Sequence, residues 1–315
     1  MLGKERKREV FLLQVYFDSL MKNIPIYSQV LNEQNQGHDT RRKLFIDLES
    51  ELGGVPVVSF ATSFRFNVMI EDTDVEMIEG LLQKIELKKG LALLINSPGG
   101  LGLAAERIIN ICRSYSGTRE FIAIVPGKAK SAATMICMGA SKIYMSNTSE
   151  LGPIDPQIPI KEGTVTVALW NVVQSYKDLF KRAVLEKGNL QPYLQQLENY
   201  DEREIKQFEA GLELAEDVAI RALKSGMMKA QSKGDIKKKI KVFLTPEKTK
   251  SHGRSIFFEE AKKCGLNIEL MDLKSKIWQL AYELCVRTHN FTVTRASKCV
   301  ENKDFSFSAS GENSE

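Results

Sequence analysis

The sequence is poor in the residues that bind metals or form disulfides. Its 315 residues include three histidines, His38, His252 and His289, and five cysteines. The cysteines are Cys112, Cys137, Cys264, Cys285 and Cys299. Because no two of them stand in a CxxC pair, the sequence excludes a zinc ribbon and a thioredoxin-like redox motif. We therefore expect no metal and no cofactor, and the scattered, odd-numbered set favours a reducing cytoplasm over a disulfide-stapled secreted fold.

Long hydrophobic runs and strong net charge are also absent. No stretch reaches the roughly 18 apolar residues of a membrane span, and the apolar patch from Val10 to Leu13 is too short for a signal-peptide core. Lys and Arg number 44 against 40 Asp and Glu, so the net charge of +4 indicates no specific nucleic-acid partner. The sequence predicts a cytoplasmic protein whose N-terminal helix serves self-association or, as the alternative, peripheral membrane contact.

What is present is a pattern of short apolar runs that alternate with helix patterns. Hydrophobic residues make up 43% and charged residues 27% of the chain, which is typical of a globular protein. Strand candidates are 55–61, 91–95, 121–125 and 143–145, and helix candidates are 72–87, 103–115 and a helix that begins near 131. Buried strands alternating with helices are typical of a largely parallel sheet, so the sequence predicts an α/β fold.

Composition divides the chain into four segments. They are an N-terminal helical arm at 1–45, a core with a helical extension at 46–242, a C-terminal module at 243–290 and a disordered tail at 291–315. Within the extension, helices are predicted over 168–185 and 194–224. The basic run from Lys229 to Lys241 is interpreted as a solvated helix face or linker, with contact to an acidic partner or a nucleic-acid backbone as the alternative.

Two turns at the ends of buried strands carry candidate chemistry. The first, from Asn96 to Gly100, is here named the glycine turn. Pro98 restricts the backbone, whereas Gly99 and Gly100 allow angles and close approaches that a Cβ would block. Such a turn can direct a backbone N–H toward a developing negative charge, as an oxyanion hole requires, although an ordinary strand-to-helix turn is the alternative interpretation.

The second motif runs from Pro126 to Thr134, and its first part, from Pro126 to Ser131, is here named the serine turn. Small residues surround the Ser131 hydroxyl where a helix begins, and backbone N–H groups at a helix start lack partners within the helix. Ser131 is a candidate nucleophile if a base stands beside it, and a helix-capping serine is the alternative. The presence of two such turns on neighbouring strands favours the catalytic interpretation.

Three strings together resemble a known superfamily. They are Leu94 to Gly100, Ser131 with its Ala-rich helix, and Ser149 to Gln157. The chain resembles the superfamily of the Clp protease proteolytic subunit and signal peptide peptidase A, and within it the serine dehydrogenase proteinase branch. The resemblance implies a ClpP/crotonase-like fold of stacked βαβ units with added N- and C-terminal helices, and assembly into homo-oligomers.

The resemblance also implies roles for residues of the two turns. Ser131 corresponds to the nucleophile. The backbone N–H groups of Gly100 and Ala132 correspond to the oxyanion hole, with Gly99 shaping the turn. The substrate implied is a peptide or protein.

The resemblance does not supply a general base of the Clp type, because Asp155 stands where Clp-type subunits have a histidine. Signal peptide peptidase A relatives use a lysine instead, and a desolvated lysine can act as a base near neutral pH. We favour Lys177, with Lys161 as another candidate and Lys130 in a supporting electrostatic role. A solvated helix lysine is the alternative interpretation of Lys177.

Asp155 and His252 are possible supporting residues. Asp155 either braces its turn, or orients the base or binds a substrate amine. A contact between Asp155 and Lys177 would stabilise the ammonium and weaken this lysine as a base. His252 precedes a Glu-Ala-Lys segment, as a histidine often does in the family, and its alternative role is structural.

The sequence therefore predicts a serine peptidase that acts through an acyl-enzyme on Ser131, with a lysine base and without ATP. The alternative is a catalytically silent or partner-activated oligomeric scaffold with the same fold. Acyl-CoA chemistry is a third interpretation, but it would leave Ser131 without a role.

Overall fold

Eleven strands of the described chain build one large sheet and two small ones. The computed structural model describes residues 24–160 and 165–310. The strands are β1 (Val57–Thr62), β2 (Leu91–Asn96), β3 (Phe121–Val125), β4 (Lys128–Ala129), β5 (Lys142–Met145), β6 (Glu150–Leu151), β7 (Gln157–Ile160), β8 (Val165–Ala168), β9 (Ile268–Leu270), β10 (Lys298–Glu301) and β11 (Ser306–Ala309). The large sheet has the order β11-β10-β1-β2-β3-β5-β9, while β4 pairs with β6 and β7 pairs with β8.

Helices cover both faces of the large sheet. They are α1 (Ile26–Asn32), α2 (Asp39–Glu51), α3 (Asp72–Leu82), α4 (Gly102–Ser116), α5 (Ala132–Met138), α6 (Leu169–Leu185), α7 (Gln191–Leu197), α8 (Glu202–Ser225), α9 (Lys233–Lys239), α10 (Lys241–Leu244), α11 (Pro246–Thr249), α12 (Phe258–Lys263) and α13 (Lys276–Thr294). Among the described residues, no helix combines the length and the apolar character that crossing a bilayer requires.

The sheet is parallel from β1 through β2, β3 and β5 to β9, and β1, β2 and β3 are buried on both faces. Alternate residues point to opposite faces, so Phe60 joins the core under α3, α4, α5 and α8, whereas Val57 joins the core under α2 and α13. This double coverage explains the unbroken apolar runs that the strands show in the sequence. The predicted α/β fold is confirmed.

Two predicted helices differ from the structure in their extent. The helix predicted over 72–87 ends at Leu82. The helix predicted over 194–224 is two helices, α7 and α8, because Asp201 starts a new helix and its carboxylate accepts a hydrogen bond from the Arg203 N–H. Part of the predicted N-terminal arm, residues 1–23, lies outside the described residues.

The prediction of a disordered tail is wrong for residues 291–310, and residues 311–315 lie outside the described part. Helix α13 continues to Thr294, and β10 pairs antiparallel with β1 and with β11. The polar composition of the tail suggested disorder, but an ion pair is part of what holds the tail in the fold. Glu301 is fully buried and receives two hydrogen bonds from Arg41, at 2.6 and 2.8 Å. The predicted boundary at 243 does not separate a second body, since β9 and β10 complete the same sheet.

Replacing Glu301 with alanine should strongly destabilise the fold. The Arg41 and Glu301 side chains are only 1% and 0% exposed, so the variant leaves a buried guanidinium without its carboxylate. Breaking a buried pair in this way costs about 3–5 kcal/mol of unfolding free energy. Urea denaturation measures the change, with Asp304→Ala as the control because Asp304 pairs with Arg42 at the surface. Equal unfolding midpoints for the two variants would contradict the proposed anchoring of the tail.

Candidate active site

The glycine turn and the serine turn lie side by side, as expected from the ends of adjacent parallel strands. The glycine turn follows β2 and the serine turn follows β3. The Ser97 N–H donates to the Lys128 carbonyl at 2.8 Å, and the Lys130 N–H donates back to the Ser97 carbonyl at 3.0 Å. These two hydrogen bonds join the turns into one unit, so the position of either turn determines that of the other.

Ser131 has a strained backbone between the serine turn and α5. Its φ of 50° and ψ of −122° are unusual for a residue with a side chain and cost of order 1–3 kcal/mol. Strain of this kind at a sharp strand-to-helix turn presents a nucleophile to solvent in known hydrolases. The Ser131 side chain makes no capping hydrogen bond to α5, so the helix-capping interpretation does not describe this serine.

The two glycines allow a close approach that other residues would prevent. Gly99 has a φ of 108°, and a Cβ there would lie 2.6 Å from the Cβ of Ser131. A Cβ on Gly100 would lie 2.1 Å from the backbone nitrogen of Ile70. Within the described residues, the N–H groups of Gly100 and Ala132 donate to no protein acceptor. Both N–H groups are therefore available to a negatively charged oxygen beside Ser131.

His252 and Asp155 form a hydrogen-bonded pair. The Nδ1 atom of His252 lies 2.9 Å from Oδ1 of Asp155, and the Gln157 amide donates to Oδ2 at 2.7 Å. Asp155 is 1% exposed, so its carboxylate depends on these partners. An ionised carboxylate only accepts hydrogen bonds, which places the proton of a neutral His252 on Nδ1 and leaves Nε2 free to accept another.

A cavity of about 670 Å³ brings Ser131, the glycine turn and His252 together. Most of its remaining wall is apolar: Val68, Met69, Leu101, Leu103, Met135, Ile154, Leu214 and Val218. Among the described residues, Ser131 Oγ has no hydrogen-bond partner, so Ser131 and His252 line the same cavity without a hydrogen bond between them. Catalytic hydrogen bonds of this kind often close only in the complex with substrate. The cavity has the space and the groups for an acyl-transfer reaction.

Lys177, the base favoured by the sequence, already forms an ion pair with a glutamate. Its Nζ is 2.6 Å from Oε1 of Glu209, and its side chain is 52% exposed. The hydrogen bond from Lys177 lowers the pKa of Glu209. A neighbouring carboxylate stabilises the ammonium form, which cannot accept a proton. Lys177 is not among the described residues that line the cavity.

Of the other two candidate lysines, the structure describes one. Lys130 pairs with Glu150, its Nζ 2.8 Å from Oε2. Lys161 lies outside the described residues. Sequence reasoning kept His252 only as a supporting residue, because nothing in the linear pattern shows that it meets Asp155, 97 residues earlier. The sequence did offer one signal: an Asp between two prolines, together with a Ser-His-Gly string farther along the chain.

Part of the chain is similar to a known protein family. Residues 29–177 match the family described as ClpP-like SDH-type serine proteinase. This match covers both turns, Ser131 and Asp155, and it confirms the resemblance predicted from the sequence. His252 lies beyond the matched region.

Two uncharacterized proteins of Methanocaldococcus jannaschii are similar in sequence. One is 33% identical over 132 residues, which is 41% of this chain and 42% of that protein. The other is 30% identical over 155 residues, 47% of this chain and 48% of that protein. The match thus spans less than half the length of each relative.

Two solved structures of the 1510-N membrane-bound stomatin-specific protease are also similar. Both have a TM-score of 0.29, with 17% and 15% identity. The first match covers 44% of this chain and 68% of that chain. The second, a complex with a substrate peptide, covers 73% of this chain and 98% of that chain. Similarity at this level supports no inference about the present site.

Proposed function

We propose that this chain, whose residues 29–177 match the ClpP-like SDH-type serine proteinases, cleaves peptide bonds with a Ser-His-Asp triad. Ser131 is the nucleophile, His252 the general base and Asp155 the residue that orients it. The observation that carries this proposal is the His252–Asp155 pair, 2.9 Å between Nδ1 and Oδ1, in which His252 lines the same cavity as Ser131.

The reaction follows from the positions of these groups. Ser131 Oγ attacks the carbonyl carbon of the scissile bond and transfers its proton to Nε2 of His252. The carbonyl oxygen becomes negatively charged and accepts hydrogen bonds from the N–H groups of Gly100 and Ala132. His252 then protonates the departing amine, which leaves an acyl-enzyme on Ser131. Water, deprotonated by His252, hydrolyses this ester and restores the free serine.

Asp155 keeps the imidazole in the tautomer that this cycle requires. Its carboxylate accepts the Nδ1 proton and stabilises the imidazolium after proton transfer from Ser131. Burial strengthens this electrostatic effect, since water does not screen the charge. The concern that Asp155 would disable Lys177 does not arise in this mechanism, because Asp155 pairs with a histidine. No step consumes a nucleotide, so we propose peptide hydrolysis without ATP.

Incubation with denatured casein, followed by mass spectrometry of the products, tests the proposal directly. New peptide termini that appear with the wild-type chain support a peptidase. Intact casein, together with no modification of Ser131 by an active-site probe, would favour the scaffold with a silent site.

The apolar cavity wall should select substrates with a large apolar residue on the acyl side of the scissile bond. Met135, Ile154 and Leu214 present hydrocarbon surface to the cavity. Burial of one large apolar side chain contributes about 1.5–3 kcal/mol. Peptides with leucine at this position should therefore have a kcat/KM roughly 10-fold to 100-fold above matched peptides with aspartate. Fluorogenic peptide assays measure this ratio, and equal values would contradict an apolar specificity site.

A further inference from the structure

We propose that Lys130, Glu150 and Ser255 form a positioning cluster that holds the His252 segment against the serine turn. This inference rests on the proposed triad and adds residues that touch neither substrate nor reacting atoms. The cluster acts through the placement of His252 relative to Ser131.

The contacts within the cluster join three separate parts of the chain. Lys130 Nζ lies 2.8 Å from Oε2 of Glu150 and donates to Ser255 Oγ at 3.1 Å. Ser255 Oγ in turn donates to the same Glu150 oxygen at 2.5 Å. The lysine and glutamate side chains are only 14% and 20% exposed. Every pair of the three residues is thus in direct contact, which restricts all three side chains together.

Each member of the cluster is next to a catalytic element. Lys130 immediately precedes Ser131, and Ser255 follows His252 by three positions. Glu150 begins β6, which pairs with β4 in the serine turn and leads toward Asp155. All three proposed triad residues therefore lie on segments that converge on this cluster.

Backbone contacts fix the same junction. The N–H groups of Leu151 and Ile256 each donate to the carbonyl of the other, at 3.0 and 2.9 Å. A Cβ on Gly152 would lie 2.7 Å from the Lys130 side chain, so the lysine stem packs directly on this glycine. The Leu151–Ile256 bridge sets the direction of the 251–256 segment. The cluster then fixes the part of this segment that carries His252.

The charge of Glu150 in the cluster persists at neutral pH. Burial alone would raise the pKa of Glu150, but hydrogen bonds from Lys130 and Ser255 outweigh burial and lower this pKa below its ordinary value. A group with a lowered pKa in the folded state stabilises the fold above its unfolded pKa, and this contribution is lost as pH falls through the folded value. The Glu150 carboxylate therefore keeps its charge, and with it its hydrogen bonds within the cluster, at neutral pH.

Ser255→Ala and Glu150→Gln test the positioning role in the full chain. Both variants should lower kcat about 10-fold or more with little change in KM, because small displacements of catalytic groups reduce rates steeply. Labelling of Ser131 by a fluorophosphonate probe should slow in parallel. Ser255→Thr, which keeps the hydroxyl, should restore most of the rate. The matched control is Glu260→Gln, whose partner Arg254 lies in the same segment but at the surface, and it should stay within about twofold of wild type.

The outcomes separate this inference from the proposed function. A wild-type protein that neither hydrolyses peptides nor reacts with the probe refutes the triad and the positioning role together. An active wild type with unchanged kcat in Ser255→Ala refutes the positioning role alone. A loss of thermal stability with unchanged kcat per labelled site would also overturn it, since the cluster would then be purely structural.

Discussion

Ser131→Ala should abolish peptide hydrolysis and all labelling by a fluorophosphonate probe. The variant removes the oxygen that attacks the substrate, and loss of a nucleophile in this class of mechanism reduces kcat by roughly 10⁴-fold or more. Alanine, like serine, carries a Cβ and meets a similar steric restriction at a φ of 50°, so the serine turn should keep its shape. Unchanged circular dichroism and melting temperature would confirm that the loss is chemical.

The labelling assay also needs a control at a serine that should not react with the probe. Ser225→Ala is suitable, because Ser225 Oγ donates to the Ala222 carbonyl near the end of α8 and does not line the cavity. This control should retain full labelling. If Ser131→Ala still reacts with the probe at the wild-type rate, another residue is the nucleophile and the proposed mechanism fails.

His252→Ala should also nearly eliminate activity, whereas Lys177→Ala should leave it almost unchanged. Removal of His252 deprives Ser131 of its proton acceptor, and the expected loss in kcat is on the order of 10³-fold or more. Lys177 lies 2.6 Å from Glu209 and is not among the described cavity residues, so its removal affects only a surface pair. The two variants separate the histidine mechanism from the lysine mechanism in one experiment.

An Asp155 variant provides a second test of the same assignment. Asp155→Asn should reduce kcat strongly while His252 remains in place, because the amide no longer selects the tautomer with the proton on Nδ1. A large loss in Lys177→Ala, with normal activity in His252→Ala, would restore lysine as the base.

Much of the core could be predicted from the sequence because its signals are local. The strands β2 and β3 are short, fully buried and therefore continuously apolar, and turns with proline, glycine or small residues follow them. Parallel neighbours place such turns at one edge of a sheet whatever the rest of the chain does. The proximity of Ser131 to Gly99 and Gly100 follows from this geometry.

The boundaries of the fold were less accessible to sequence reasoning. The polar tail joins the sheet through β10 beside β1, and Arg41 pairs with Glu301 across 260 positions. A buried ion pair has no local signature, since each member resembles a surface charge in the sequence. The polar composition of the tail therefore predicted disorder, although its ion pair with the distant Arg41 helps to order it.

The sequence by itself indicated the turn that carries the proposed nucleophile and, through the family resemblance, the proposed oxyanion donors, since backbone geometry and residue size there are local properties. Only the tertiary structure decided the candidate base. His252 meets Asp155 because the Leu151–Ile256 bridge brings together segments about a hundred residues apart. Lys177 instead forms an ion pair with Glu209 on another helix. The scarcity of histidine limited the choice to three residues, but which of them faces the serine depends on long-range contacts that no spacing rule encodes.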